Sequence, residues 1–176
     1  MHLWAGQTAA QVGFQVGTLA TSAIAITFLH ASETQIGVLS ALQTVAFLLV
    51  GLPAGAWVDG WCKRQVMIAA DVARVGALVS IPVAYSLATL TLTHLMIVSA
   101  LLGLCTVFFD VAYQSYVPII ASKRYIGAAN GRLEASYQVG HAGGPGLGGW
   151  LLGFVAPPLV YLLTALTYVL STWAIW

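Results

Sequence analysis

The sequence predicts an all-α membrane protein of six transmembrane helices, on three observations. Of its 176 residues, 60% are hydrophobic and only 6% charged, with a mean hydropathy of +0.91. An ordinary globular domain is about 25% charged, so a water-facing surface cannot be built from this inventory. Six apolar segments each approach the roughly 20 residues that a span requires: 3–28, 36–58, 65–87, 94–117, 131–153 and 157–176. The breaks between them are short: "LHASETQ", "DGWCKR", "ATLTLT", "PIIASKRYIGAAN" and "APP". Such connections predict antiparallel neighbours in a helical bundle. Continuous apolar runs, rather than ten-residue alternations, argue against a β-barrel.

The first segment follows "MHLWAGQ", which lacks the basic region and small-residue cleavage site of a signal peptide, so it is expected to be a retained span. Gln7, Gln11 and Gln15 are four apart and share one helix face, continued by Thr18 and Ser22. At about 1.5 Å per residue, Gln15 falls near the middle of a hydrocarbon core of about 30 Å. Polar side chains at that depth face a cavity or a neighbouring helix, and the stripe is read as lining a substrate path. Gln43 on the second segment is the nearest candidate partner.

The second segment closes on "GLPAGAWVDG". Gly55 is expected to allow a close approach to a neighbouring helix, and Asp59 to end its own. Lys63 and Arg64 follow at the membrane rim. The third segment carries Asp71 and Arg74 at a spacing of three, which lets them neutralise each other. The fourth carries Asp110 about sixteen residues from its outer end, in the inner third of the membrane. Together Asp59, Lys63, Arg64, Asp71, Arg74 and Asp110 suit an intracellular gate.

The fifth segment contains "GHAGGPGLGG" at 140–149, six glycines and a proline in ten positions. Gly140, Gly144 and Gly148 form one bare stripe, the arrangement that lets transmembrane backbones pack closely. Pro145 leaves the carbonyl of His141 without its donor, so a bend is expected there. A phosphate loop is excluded, since no strand precedes the run and no Gly-Lys-Ser/Thr follows it. His141 is the ionisable group at the depth of the glutamines and the candidate proton site. The sixth segment runs into Trp176 without a polar tail, and the chain is expected to be cut from a longer one.

All six bases, Lys63, Arg64, Arg74, Lys123, Arg124 and Arg132, lie in or near the second and fourth connections. Positive charge marks the cytoplasmic side, so both ends are expected to be cytoplasmic, in a cell membrane of the bacterial inner-membrane type. Cys62 and Cys105 fall in different segments and suggest no disulfide framework. A net charge of +1 points to no nucleic-acid partner. The four histidines are scattered, and neither H-E-x-x-H nor G-x-S-x-G occurs, so neither a metal site nor an intramembrane enzyme is expected.

Two motifs carry a resemblance. Gly55-x-x-x-Asp59 followed by Lys63-Arg64 resembles the G-x-x-x-D-R-x-G-R-K signature between helices 2 and 3 of the major facilitator superfamily, with Gly60 and Cys62 departing from it. Gly140-x-x-x-Gly144-Pro145-x-x-Gly148-Gly149 resembles the helix-5 motif of that superfamily's antiporter branches. "LWAGQTAAQVGFQVGTLA", "ALQTVAFLLVGLPAGAWVD", "VFFDVAYQSYVP" and "AANGRLEASYQV" look like the drug–proton antiporter branch that includes macrolide and siderophore exporters. The resemblance implies the N-terminal half of a twelve-helix bundle, built from two inverted three-helix repeats. It further implies proton-coupled export of amphipathic small molecules by alternating access, with helices 1 and 4 on the path and Asp59 latching one state against a C-terminal six-helix half. The implied partners are the bilayer, the substrate, protons and that second half; no cofactor is implied. A non-transporting fragment or six-helix subunit is the competing expectation.

Overall fold

The computed structural model describes the backbone of residues 2–120 and 126–175, with the side chains at 2–5, 7, 52, 117–120, 126, 128–130, 132 and 133 left undescribed. Among the described residues there are six helices and no strand: α1 (His2–Thr27), α2 (Glu33–Asp59), α3 (Lys63–Ser86), α4 (Leu92–Ile120), α5 (Ile126–Phe154) and α6 (Pro157–Ile175). The expected segments are all present, with most ends within three residues. α5 begins five residues earlier than expected, since "IGAAN" continues the helix instead of forming a loop.

Local chemistry explains several of these ends. Ser32 caps α2 by accepting from the Gln35 backbone N–H, while the Gln35 side chain accepts from the Ser32 backbone, a reciprocal capping box. Asp59 is the last residue of α2, and the Gly60 N–H closes on the carbonyls of Trp57 and Val58. Arg64 Nε donates to the Ile175 carbonyl at 3.0 Å, placing a cation on the C-terminal end of α6 where the last carbonyls lack partners.

Among the described residues five helices are both long and apolar enough to cross a membrane, and α5 is not one of them. Its 29 residues are long enough, but glycine contributes little hydropathy, and Glu134, Gln138 and His141 dilute the rest. The sixth span therefore rests on its length and its packing against α1.

The helices do not pack in chain order, contrary to the expectation from the short connections. The extensive contacts are α5 on α1, α1 on α6, α6 on α3, α3 on α4 and α4 on α2, so only α3 and α4 are neighbours both in chain and in space. A short connection constrains where a helix starts, not which face it buries. The small and polar faces decide the partner. Replacing each helix by the one three places along (α1 with α4, α2 with α5, α3 with α6) leaves this contact pattern unchanged. That is the signature of two interlocked three-helix repeats related by a pseudo-two-fold axis.

The core lies among α1, α3, α4 and α6, with Ile24, Leu78, Ile81, Leu95, Val160 and Tyr161 almost wholly buried. The Tyr161 hydroxyl shares a 2.6 Å hydrogen bond with Thr21 Oγ1, so the one polar atom of this large ring is satisfied in the apolar interior. The outermost helices in the row, α2 and α5, expose most of their surface, including Phe47, Leu48, Leu49, Trp150 and Phe154.

Candidate functional site

The glycine stripe of α5 seats directly on the glutamine stripe of α1. A Cβ built on Gly140 would lie 3.0 Å from the Gln11 Cβ, and one on Gly144 would lie 2.5 Å from the Gln15 Cβ. On Gly148 it would meet the Leu19 side chain at 2.8 Å. Hydrogen is thus the only side chain these positions accommodate without a shift, and all three glycines are buried. Gly149 takes no part in the seam: it is exposed, and a Cβ there meets nothing within 4 Å. Pro145 is exposed, turned away from α1, and the helix continues through it.

The seam divides the glutamines. Gln15 lies in it, with its Cβ and Cγ against Gly144. Gln11 both touches Gly140 and lines a cavity of about 20 Å³ shared with α3, α4 and α6. Thr18 and Gln43 line a second cavity of about 10 Å³, and Phe14 and Tyr168 border both. Thr18 Oγ1 donates to the Phe14 carbonyl. The alternative reading, in which Gln43 pairs with the stripe, is not seen: among the described residues Gln11, Gln15 and Gln43 have no side-chain hydrogen bond. The side chain of Gln7 lies outside the described residues.

The six charges read as one gate separate into two groups. Asp59 is exposed, and the Lys63 ammonium donates to its backbone carbonyl at 2.9 Å rather than to its carboxylate. Arg64 is committed to the end of α6. Two to three turns into α3, Arg74 Nη1 donates to Asp71 Oδ1 at 2.9 Å, with both residues buried. The guanidinium lies 4.8 Å from the ring centre of Phe109 on α4 and 5.0 Å from that of Tyr168 on α6. Two aromatic faces thereby replace part of the water that the cation lost. Asp110 faces this group from α4 across the small cavity that Arg74 and Gln11 also line. The six charges thus fall into two groups: Lys63 and Arg64 donate to the C-terminal carbonyls of α2 and α6, with Asp59 exposed beside them, while Asp71, Arg74 and Asp110 gather about a cavity further in.

Two further expectations change. Gly55 makes no close approach, since a Cβ there meets nothing within 4 Å among the described residues. The tight position between α2 and α4 is Gly103, where a Cβ would lie 2.9 Å from both the Cα and the carbonyl oxygen of Gln43. His141 is exposed, with a ring nitrogen 3.1 Å from the Tyr137 hydroxyl, and it does not face the glutamines' cavities. Lys123 and Arg124 lie outside the described residues, as does the side chain of Arg132.

Sequence reasoning missed Gly103, Phe109, Tyr168 and the 2.9 Å hydrogen bond from Thr8 on α1 to Ser136 on α5. A lone glycine or an aromatic residue in an apolar run carries no local signal. Thr8 is different: it adjoins the glutamine stripe, and Ser136 precedes Gly140 by four, so both extend recognised faces.

A cavity of mixed polar and apolar lining between two interlocked repeats, with a close-packed glycine seam at one flank, is the arrangement of a transporter core. A search against curated proteins gave no match. A major facilitator family model described as "transmembrane secretion effector" matches residues 1–176, so the chain belongs to that family of transmembrane transporters.

Proposed function

We propose that the protein is a proton-coupled secondary exporter of amphipathic small molecules, of the drug, macrolide or siderophore kind, working by alternating access. In this reading the six helices are the N-terminal half, paired with a C-terminal half of similar size in a cell membrane, with both ends cytoplasmic. The observation that carries it is the pair of small polar cavities on α1, bordered by Gln11, Asp110, Thr18 and Gln43, at the contact of the two repeats. Midplane sites at repeat contacts are where such transporters hold substrate and coupling ion. The exposed faces of α2 and α5 provide the surface for a second half. Cavities of about 20 and 10 Å³ admit no more than a water each, so in this reading an amphipathic cargo is held in wider space that opens between this half and the second one.

Each elementary charge moved down a membrane potential supplies about 2.3 kcal/mol per 100 mV, enough for a concentration gradient of roughly fifty-fold. Drug-sensitive cells expressing the full-length gene should export an amphipathic dye, and a protonophore should abolish that export. Export that persists after the gradient collapses would overturn proton coupling.

A further inference from the structure

The Asp71–Arg74 pair leaves one carboxylate over. Asp110 makes no hydrogen bond or ion pair with any described residue, although it lines the same cavity as Arg74. Arg74, which also lines that cavity, is 4% exposed, and its Nε–H has no hydrogen-bond partner among the described residues. Gln11 adds an amide from α1, without a side-chain hydrogen bond to any described residue. A donor, a carboxylate and an amide thus surround about 20 Å³. One water needs roughly 10–15 Å³ and two to four polar partners. The space, the unpaired donor and the free acceptor all fit a single water, accepting from Arg74 Nε and donating to Asp110. A metal cation fits less well, because it cannot accept the Arg74 hydrogen and would stand beside a guanidinium.

We infer that Asp110, with the water held between it and Arg74, is the site in this bundle that binds and releases the coupling proton, in place of His141. The inference rests on the proton-coupled reading above and locates its carrier. With Asp110 ionised, the cluster of Asp71, Arg74 and Asp110 carries one net negative charge. When a hydronium ion reaches the cavity, one of its O–H bonds breaks as a new one forms on the Asp110 carboxylate. Water remains, and the cluster becomes neutral. Besides Asp110, the charged and titratable groups that line the site are Arg74 from α3 and Tyr168 from α6; behind Arg74 stand its partner Asp71 and, on α4, Cys105. α1 contributes Ala10, Gln11 and Phe14, none of which titrates. A change of charge at Asp110 therefore acts on the contacts of α4 with α1 and α3, which join the two repeats.

The test is infrared difference spectroscopy of the purified full-length protein in lipid, between acid and alkaline buffer. The wild type should show a protonated-carboxyl C=O band that shifts in deuterium oxide. Asp110→Asn should lose it, and His141→Gln should keep it. Asp110→Glu serves if Asp110→Asn does not fold, and should move the band without removing it. A band unchanged in Asp110→Asn, or unmoved in Asp110→Glu, would overturn the assignment. The readout needs no cargo, so an Asp110 band in a protein whose export ignores a protonophore would refute proton coupling and leave the site standing.

Discussion

The seam between α1 and α5 and the seam between α4 and α2 are counterparts under the exchange of repeats, yet they are built differently. In the first, three glycines on the outer helix α5 receive Gln11, Gln15 and Leu19 of the inner helix, with the Thr8–Ser136 hydrogen bond at one end. In the second, one glycine on the inner helix, Gly103, receives the backbone of Gln43 and the Ala46 methyl from the outer helix. Both are among the extensive helix contacts of the bundle. Lipid tails are as apolar as the side chains, so close packing and hydrogen bonds, rather than exclusion from water, hold such helices together. One well-placed glycine lets two backbones approach as closely as a stripe does. A stripe extends the bare surface over two turns, and here it fixes where two glutamines sit.

The largest effect is expected from Gly144→Val. Its Cβ would stand 2.5 Å from that of Gln15, and overpacking of this kind costs about 3 kcal/mol or somewhat more. Export should fall further than the amount of protein in the membrane, because the displaced residue adjoins the proposed path. Equal loss of both, measured by dye export and by immunoblot of membranes, would mean the stripe only packs.

Gly103→Ala comes next. Its methyl would meet backbone atoms of Gln43 at 2.9 Å, which cannot swing aside like a side chain. A loss of about 1–3 kcal/mol is expected, read as a lowered Tm in detergent. An unchanged Tm would show the α2–α4 seam to be looser than its geometry.

Thr8→Val removes a hydrogen bond found in the first seam at nearly constant volume. Interhelical hydrogen bonds in membranes are worth about 0.6 kcal/mol on average, at most about 1.7, so a small drop in Tm is expected. A larger one would make the hydrogen bond, not the glycines, the chief attachment of α5. The smallest effects belong to Gly149→Ala and Gly55→Ala, whose methyls meet nothing within 4 Å. Their Tm should be unchanged or slightly raised, since alanine favours a helix by up to about 1 kcal/mol. A fall at Gly149 would extend the first seam to that position.

This contrast also shows what the sequence could reveal. Periodicity and composition were enough for six helices, because a span must be long and apolar wherever it packs. The α5 stripe was visible because three glycines four apart are rare, and the Asp71–Arg74 pair because residues three apart on a helix must meet. Helix order was hidden, since nothing in "APP" or "DGWCKR" says that α5 will lie on α1 instead of α6. Gly103 was hidden for the same reason: its partner, Gln43, is sixty residues earlier. The charges misled because proximity to the inner face was read as proximity to one another. The cores of α3, α4 and α6 instead draw Asp71, Arg74 and Asp110 away from Asp59, Lys63 and Arg64.

That α1 and α5 form one fixed joint, while α1 and α2 do not, is best tested by a cross-link. The Thr8 and Ser136 hydroxyls are 2.9 Å apart, and a disulfide between the same positions closes to about 2.05 Å. In the full-length protein with Cys62→Ser and Cys105→Ala, the pair Thr8→Cys and Ser136→Cys should oxidise readily. The oxidised protein should still export dye, because α1 and α5 belong to the same six-helix half, which in the proposed cycle moves as one body. Failure to cross-link, or export that stops on oxidation and returns on reduction, would contradict the joint.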